Sequence, residues 1–273
     1  MEQLASVSRR TFLADLGRGS MALLVVSVAA CSTGSTASLT ASPIGSATPA
    51  GGSPPSPSGG STPTASTSGG GGGASPAGGS AWTRVNLGFV SAYILAHAGE
   101  AAIVDTGVGG SVDEIEAAMK GAGLAWSNVG HVILTHYHGD HVGSAQDVLD
   151  RATTATAYAG AADIPRISLS RPLTTVADGD TVMGLRIVTT PGHTLGHVAV
   201  LDEAAGALVA GDALGTVGGP LAGSNPSFTA DAAAARASIA KLAGLRFETL
   251  LVGHGEPILT GASAQVAALA AAG

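Results

Sequence analysis

The segment from residue 32 to residue 80 most limits what this chain of 273 residues can fold into. It consists almost entirely of Gly, Ser, Thr, Pro and Ala, and it contains no charged and no aromatic residue. Such a stretch buries too little apolar surface to offset the entropy that is lost on ordering. We therefore predict a disordered tether over residues 32–80. Residues 81–273 are enough for one domain with a well-buried core.

Residues 1–31 have the pattern of a bacterial export signal. Residues 8–13 (SRRTFL) resemble the twin-arginine export motif. The apolar run over residues 21–30 suits a signal peptide, because a bilayer span needs about 20 residues. The run ends in Val-Ala-Ala before Cys31, which resembles a bacterial lipobox and implies cleavage there, lipidation of Cys31 and anchoring at the extracytoplasmic face of the cell membrane. An ordinary cleaved signal with an incidental cysteine is the alternative.

Charge and cysteine content narrow the partners of the domain. From Ala81 onward the chain has 17 acidic and 9 basic residues, so it lacks the excess of Lys and Arg on which nucleic-acid binding depends. The one cysteine is Cys31, outside the domain, so any metal in the domain must be bound by nitrogen and oxygen ligands. We expect a small-molecule substrate, no nucleic acid, and membrane contact only through the lipid anchor.

Apolar runs separated by Gly, Pro and Asp predict alternating strands and helices in the domain. Ser111 and Glu114 form a candidate capping box for the first helix. The predicted strands cover residues 90–96, 101–104, 131–134, 185–189, 197–201, 207–210 and 250–252, and the predicted helices cover residues 112–122, 231–245 and 263–272. Residues that can bind metals follow several of these strands, where a rigid scaffold holds the loops.

Three of the eight histidines share one short loop with an aspartate. The motif His136-x-His138-x-Asp140-His141 follows directly on a predicted strand, and Gly139 within it allows a tight turn. Side chains of such a loop can alternate between two sides, so that His136 and His138 serve one metal while Asp140 and His141 serve a second. Further candidates follow glycines near other strand ends: His193, Asp212 and His254.

These seven residues resemble the metallo-β-lactamase-fold hydrolases in identity, order and approximate spacing, and their pattern is most similar to the glyoxalase II and lactonase branches. The resemblance covers essentially all of residues 81–273. It implies an α/β fold, a four-layer αββα sandwich with the metals at one edge of its two sheets. It also implies two ligand groups and a bridge: His136, His138 and His193 for the first metal, Asp140, His141 and His254 for the second, and Asp212 between them.

A pair of divalent cations explains the need for this donor set. Two ions about 3.5–4 Å apart can share a water and lower its pKa towards neutral, which gives a bridging hydroxide, while one of them polarises the scissile carbonyl. Neutral imidazoles and carboxylates suit zinc, and they also accept iron or manganese. Asp140 is in addition expected to orient the hydroxide or to take up a proton when the tetrahedral intermediate collapses.

Other residues are predicted to support this site. Asp105, in a motif that also resembles the family, is expected behind the ligands, accepting hydrogen bonds from the metal loop or from a ligand imidazole; capping of a turn is the alternative. His197 is expected to be structural because the ligand set is already complete, and Tyr137 is expected to pack under the loop. The segment 214–228, rich in Gly and Pro, is expected to line or cover the substrate entrance; a surface loop without a role in the site is the alternative.

The leading hypothesis for function is hydrolysis of an ester-like bond in a thioester, a lactone or a related acyl compound. We find no Arg/Lys pocket in the sequence that would bind a glutathione conjugate. The export signal also argues against that substrate. The alternatives are a β-lactam hydrolase, an iron-dependent sulfur dioxygenase, and a non-catalytic metal- or ligand-binding lipoprotein. The last predicts a degraded ligand set, whereas all seven positions are intact here.

Overall fold

The computed structural model describes residues 81–273, which form a mixed α/β structure. The predicted export signal with Cys31 and the predicted tether lie outside the described residues, and both stay predictions. The strands are β1 (Ala81–Asn86), β2 (Ser91–His97), β3 (Glu100–Val104), β4 (Val129–Ile133), β5 (Thr156–Gly160), β6 (Thr174–Val176), β7 (Thr181–Val182), β8 (Leu185–Thr189), β9 (Val198–Asp202), β10 (Ala207–Gly211), β11 (Leu214–Gly215), β12 (Ala222–Gly223) and β13 (Thr249–Val252). The helices are α1 (Val112–Gly121), α2 (Gly139–Val142), α3 (Ala145–Arg151), α4 (Ala232–Ala243) and α5 (Ala262–Ala272), with 3-10 turns at Trp126–Asn128, Ile164–Arg166 and Pro226–Phe228.

Two sheets contain most of the strands. The first has the order β1-β2-β3-β4-β5-β6, in which β2 pairs antiparallel with both β1 and β3, and β3 to β6 run parallel. The second has the order β13-β10-β9-β8-β7, in which the neighbours β13 and β10 are parallel and the other neighbouring pairs are antiparallel, so that β8 has the same direction as β10 and β13. Strands β11 and β12 form a separate hairpin. Within each sheet, the strands that precede the candidate metal ligands therefore point the same way.

The inner strands are buried on both faces, which gives the chain its layers. Ile94 packs with Ile115 of α1 on the outer face of the first sheet. The next residue along β2, Leu95, points the opposite way and packs with Ile187 of the second sheet, in the cluster between the two sheets. A third cluster joins the far face of β10 and β13 to α4 and α5. Helices thus cover both outer faces, and the predicted αββα sandwich is confirmed.

Local sequence signals explain some element ends and fail at another. The β2–β3 hairpin turns at Ala98 and Gly99, which both have positive φ (51° and 84°), as a two-residue hairpin turn requires. Asp231 caps α4 by accepting hydrogen bonds from the N–H groups of Ala233 and Ala234. The predicted capping box of α1 is wrong: the Ser111 side chain makes no capping bond.

The start of α1 is instead fixed by packing. The backbone N–H of Ser111 donates to Ser144 Oγ at 2.8 Å, and Ser144 Oγ donates to the carbonyl of Val108 at 2.6 Å. Both serines are buried. These contacts tie the loop before α1 to the segment that follows the histidine-rich motif. Among residues 81–273, no helix has the length and apolar character that crossing a bilayer requires.

Ile187 tests the central core. Its side chain is fully buried between the two sheets, so Ile187→Ala removes methylene groups and leaves a cavity. We expect a loss of about 2–5 kcal/mol in the free energy of unfolding, measured by denaturant titration. Leu259→Ala is the control, since Leu259 is exposed and should change stability by less than about 0.5 kcal/mol. Equal effects of the two substitutions would contradict the assigned core.

Candidate metal centre

The histidine-rich motif leaves the end of β4 and turns at once into the short helix α2. Its backbone is anchored to the segment after β3, because the carbonyl of His141 accepts hydrogen bonds from the N–H (2.7 Å) and the hydroxyl (2.9 Å) of Thr106. Gly143 ends the motif where a Cβ atom would clash with the backbone of Gly109, so only glycine allows this close crossing. The motif is thus a rigid loop at the carboxyl end of a buried strand.

All seven predicted ligands meet at this edge. The segments after β8, β10 and β13 carry His193, Asp212 and His254 to the motif loop. Within each of three groups, the candidate ligand atoms lie within 4.8 Å of one another: His136, His138 and His193; Asp140, His141 and His254; and His136, His141 and Asp212. The first two groups have the same members as the two triads that the resemblance implies. The third places Asp212 beside one histidine from each triad.

Hydrogen bonds on the outer side of the rings determine which nitrogen faces inward. The hydroxyl of Thr135 donates to Asp105 at 2.7 Å and must then accept from Nδ1–H of His136 at 3.0 Å. Nδ1 of His254 lies 2.7 Å from the carbonyl of Phe89, which can only accept. In the neutral form of both rings the proton is therefore on Nδ1, and Nε2 faces the cluster with a lone pair that can bind a cation.

The contacts inside the first triad fit a cation better than hydrogen bonds. His138 Nδ1 lies 3.0 Å from His136 Nε2 and 2.9 Å from His193 Nε2. One ring nitrogen can donate or accept only once, so it cannot satisfy both neighbours. Ligands at about 2.0–2.1 Å from a tetrahedral zinc ion lie about 3.3 Å apart, which is close to the observed separations. The residues present therefore fit a divalent metal ion.

Asp212 lies between the two triads. Its Oδ2 is 3.3 Å from Nε2 of both His193 and His254, and its Oδ1 is 3.2 Å from Nε2 of His141. Oδ1 is buried and accepts no hydrogen bond. Burial alone would raise the pKa of this carboxyl, but the nearby imidazole of His141 holds it well below the usual value. An ionised carboxylate with a lone pair facing each side is suited to bridge two cations.

The pKa values of the histidines are shifted in opposite directions in the two triads. Burial lowers the pKa of His193 to about 4, and it lowers the pKa of His136 well below the usual value, so both rings are neutral ligands. Hydrogen bonds to Asp140 and Asp212 raise the pKa of His254 to about 10. Burial opposes charge on His141, but the carboxylates of Asp105 and Asp212 outweigh it and raise its pKa. The same negative charge would favour a cation at the second triad.

Asp105 lies behind the ligands, where its carboxylate accepts three hydrogen bonds at 2.7 Å each. The donors are the backbone N–H of Thr135, the hydroxyl of Thr135 and Nδ1 of His141. Asp105 itself has φ +61°, a conformation that non-glycine residues seldom adopt and that aspartate tolerates better than most. The carboxylate therefore orients both the motif loop and a ligand imidazole.

His197 supports the cluster from the second sheet without facing it. Its Nε2 accepts a hydrogen bond from the backbone N–H of Asp212 at 3.1 Å, and its Nδ1 lies 2.8 Å from the Thr190 hydroxyl. Burial lowers the pKa of His197 to about 3, which keeps the ring neutral and Nε2 able to accept. The structural role expected for this histidine agrees with these contacts.

Tyr137, His131 and His97 lie outside the ligand groups. Tyr137 packs against the outer cluster of the first sheet, and the Arg166 guanidinium lies 4.3 Å from its ring. His131, the middle residue of β4, contacts Tyr158 of the neighbouring strand, and His97 lies in the β2–β3 hairpin. None of these three side chains belongs to a ligand group among the described residues.

Asp163 is a buried residue of the site that the sequence analysis missed. Its Oδ2 accepts hydrogen bonds from the Thr194 hydroxyl at 2.6 Å and from the Tyr137 N–H at 3.2 Å, and its Oδ1 accepts from the Gly196 N–H at 2.8 Å. The carboxylate therefore joins the loop of His136 and His138 to the loop of His193. No local signal identifies it, because Asp163 lies before Ile-Pro in a segment without a motif.

A family comparison includes the whole ligand set. Residues 85–254 match the sequence model of the metallo-beta-lactamase superfamily. All seven residues, and Asp105 as well, lie inside this range, which covers more than half of the chain.

Two curated relatives share about a third of their aligned residues with the chain. The hydroxyacylglutathione hydrolase of Acidiphilium cryptum is 36% identical over 171 residues, which are 60% of this chain and 63% of that protein. The thioesterase pkgB of Emericella nidulans is 33% identical over 132 residues, which are 48% of this chain and 36% of that protein. The chain thus spans less than two thirds of the length of either relative.

Solved structures support the fold. A metallo-beta-lactamase family protein from Thermus thermophilus superposes with a TM-score of 0.55 at 26% identity, over 67% of this chain and 74% of that one. The subclass B3 metallo-beta-lactamase BJP-1 of Bradyrhizobium japonicum has a TM-score of 0.55 at 18% identity, over 69% of this chain and 86% of that one. The second likeness is one of fold alone.

Substituting Asp163 tests whether this carboxylate positions the ligands. In Asp163→Asn an amide N–H₂ group replaces one acceptor oxygen and faces a hydrogen-bond donor. We expect divalent-metal affinity, measured by competition with a chromogenic chelator, to fall about 10–100-fold. Asp180→Asn is the matched control, since Asp180 accepts the Ala177 N–H in a turn outside the ligand groups. Unchanged affinity in Asp163→Asn would remove Asp163 from the site.

Proposed function

We propose, because this chain belongs to the metallo-beta-lactamase superfamily, that it is a metal-dependent hydrolase of an ester-like bond in a thioester, a lactone or a related acyl compound. The observation that carries the proposal is the convergence of five imidazoles and two carboxylates at one edge of the sandwich. The relatives named hydroxyacylglutathione hydrolase and thioesterase both have names that denote cleavage of an acyl thioester, and they support this choice of bond.

His136, His138 and His193 would hold one divalent ion, Asp140, His141 and His254 a second, and Asp212 would lie between them. Zinc fits these ligands, as do iron and manganese. Such ions, when bound, polarise an acyl carbonyl and lower the pKa of water towards neutral. The protein contributes the geometry, because Asp105, Asp163 and His197 fix three of the ligand-bearing loops through buried hydrogen bonds.

Asp140 is suited to move a proton during the reaction. It lines the open cleft beside the cluster, and its Oδ2 lies 3.2 Å from Nε2 of His254. The hydrogen bond from His254 lowers the pKa of this carboxyl, so it is ionised at neutral pH. A carboxylate there can accept a proton from the attacking water and return it to the leaving oxygen or sulfur.

A substrate panel separates this function from its alternatives. The full chain is loaded with zinc and offered a simple ester, a thioester, a lactone and nitrocefin. We expect turnover of the acyl esters, loss of activity with a chelator and recovery with zinc. Turnover of nitrocefin alone would indicate a β-lactam hydrolase, oxygen uptake by the iron-loaded protein without hydrolysis would indicate a sulfur dioxygenase, and bound metal without any turnover would indicate a binding protein.

His138→Ala tests the ligand assignment. The substitution removes the ring nitrogen that faces both other imidazoles of the first triad. We expect hydrolysis to fall below about a hundredth of the wild-type rate and metal stoichiometry, measured by elemental analysis, to fall as well. His131→Ala is the control, because His131 lies in the middle of β4 and outside the ligand groups. Wild-type rates in His138→Ala would contradict the assignment.

The N-terminal sequence supports a proposal for the cellular location of this activity. We propose that the protein is exported and anchored by lipidated Cys31 at the extracytoplasmic face of the cell membrane, with a small molecule as substrate. We expect Cys31→Ser to move the protein out of the membrane fraction and to abolish labelling by a clickable palmitate analogue in cells. Thr33→Ala is the control, two positions along the chain. Membrane association and labelling retained in Cys31→Ser would contradict the anchor.

A further inference from the structure

An open cleft of about 1080 Å³ lies directly beside the ligand cluster. Its walls include three of the five large apolar side chains that are strongly exposed in the described part of the chain: Phe89 (63%), Val217 (75%) and Phe228 (65%). Single exposed apolar residues are common on proteins, but their concentration in one concave surface next to polar groups is typical of a ligand site. The cleft is therefore built to contact an apolar group.

Hydrogen bonds fix the two aromatic residues of this set, Phe89 and Phe228, relative to the ligand histidines. The carbonyl of Phe89 accepts the hydrogen bond from Nδ1 of His254, and the Phe89 ring stacks on the His254 ring with centroids 6.0 Å apart. Phe228 ends a 3-10 turn, and two residues later the N–H of Ala230 donates to the carbonyl of His193 at 3.1 Å. The apolar wall thus begins at one triad and continues to the loop of the other.

The hairpin of β11 and β12 extends this wall outward. Leu214, the first residue of β11, is buried, whereas Val217 between the two strands is the most exposed large apolar residue described. The hairpin is tied to the second triad, because the N–H of Thr216 donates to the carbonyl of His254 at 3.1 Å. The segment expected to line the entrance does line the cleft, and its residues Val217 and Phe228 are exposed there.

The cationic side chain in the cleft is already neutralised. Arg84 is the one Lys or Arg residue that lines the cleft among the described residues. Its Nη1 donates to Glu256 at 2.6 Å, its Nη2 to the carbonyl of Gly255 at 2.8 Å and its Nε to Ser91 Oγ at 2.9 Å. Each guanidinium nitrogen of Arg84 thus already has a partner within the protein, and its charge is paired with Glu256, so the cleft offers no unpaired Lys or Arg side chain to an anionic tail.

We propose that the substrate is a neutral ester, thioester or lactone with an apolar chain, which lies along Phe89, Val217 and Phe228 while its carbonyl faces the ligand cluster. This inference rests on the proposed hydrolase function and specifies its substrate class. In the reaction the oxygen of water bonds to the acyl carbon and the acyl–oxygen or acyl–sulfur bond breaks. One proton of the water moves to the leaving group, which gives a carboxylic acid and an alcohol or thiol.

A chain-length series measures the apolar contact. Thioesters of a neutral thiol, N-acetylcysteamine, with acyl chains of two, four and eight carbons are hydrolysed by the zinc-loaded full chain. In a half-open cleft each added methylene group is partly buried and should raise kcat/KM about twofold. We therefore expect kcat/KM to rise roughly 60-fold from two to eight carbons. In Phe228→Ala and Phe89→Ala this rise should become several-fold smaller, whereas Leu259→Ala, altered outside the cleft, should retain it.

A comparison of leaving groups tests the neutralised arginine. With the eight-carbon acyl chain, we expect the N-acetylcysteamine thioester to be hydrolysed with a higher kcat/KM than the anionic glutathione thioester. Glu256→Gln frees one Arg84 donor and should shift this ratio towards glutathione. Glu203→Gln is the matched control, since Glu203 pairs with Arg186 and does not line the cleft.

Binding provides a second readout that does not depend on turnover. Octanamide, which is neutral and hydrolysed far more slowly than a thioester, should bind to the wild-type protein in calorimetry and bind more weakly to Phe228→Ala. Turnover with a flat chain-length series, a preference for the glutathione thioester, or equal octanamide binding by both proteins would overturn the inference alone. Failure to hydrolyse any acyl ester would overturn the proposed function and the inference with it.

Discussion

Five imidazoles and two carboxylates converge at one edge of the sandwich, where the candidate ligand atoms of each group lie within 4.8 Å of one another. In the first triad the ring nitrogens approach to 2.9 and 3.0 Å, and one nitrogen faces two neighbours that it cannot both satisfy. Oδ1 of Asp212 is buried without a hydrogen bond. Unpaired acceptors of this kind cost free energy in a protein interior, and divalent cations remove that cost. The hydrogen bonds of Asp105, Asp163 and His197 hold the loops that carry the candidate ligands in place, and they keep the ligand lone pairs directed inward.

The sequence is most informative where chemistry is local. His136, His138, Asp140 and His141 lie within six residues, so their proximity follows from covalent geometry and needs no knowledge of the fold. The apolar runs of β8 and β10 are likewise visible, because both of their faces are buried in the sandwich. Asp163 could not be predicted, since its three donors come from residues 26 to 33 positions away. The strand β1 and the helix α3 also escaped prediction, as neither has a strong apolar period.

The Ser111 capping box shows how tertiary packing overrides a local signal. Ser111 and Glu114 have the spacing of a capping box, but Ser111 is buried, and its backbone N–H donates a hydrogen bond to Ser144. The same segment crosses Gly143 at the end of the metal motif. Local propensity is therefore subordinate here to the contacts that position the motif loop.

The scaffold and the cleft contribute different properties to the function. The ligand cluster depends on segments that follow strand ends, whereas the cleft walls come from the segment before β2 and from the hairpin of β11 and β12. Substrate choice in such folds depends on these loops more than on the sheets. The apolar residues there, together with an arginine that is already paired, explain why the fold alone does not identify a substrate.

X-ray absorption of the cobalt-reconstituted full chain tests the central claim most directly, because it detects both the ligands and a second metal. We expect about two cobalt ions per chain, a coordination shell rich in imidazole, and a metal–metal distance of about 3.5–4 Å. A single isolated ion, or a shell without imidazole, would contradict it.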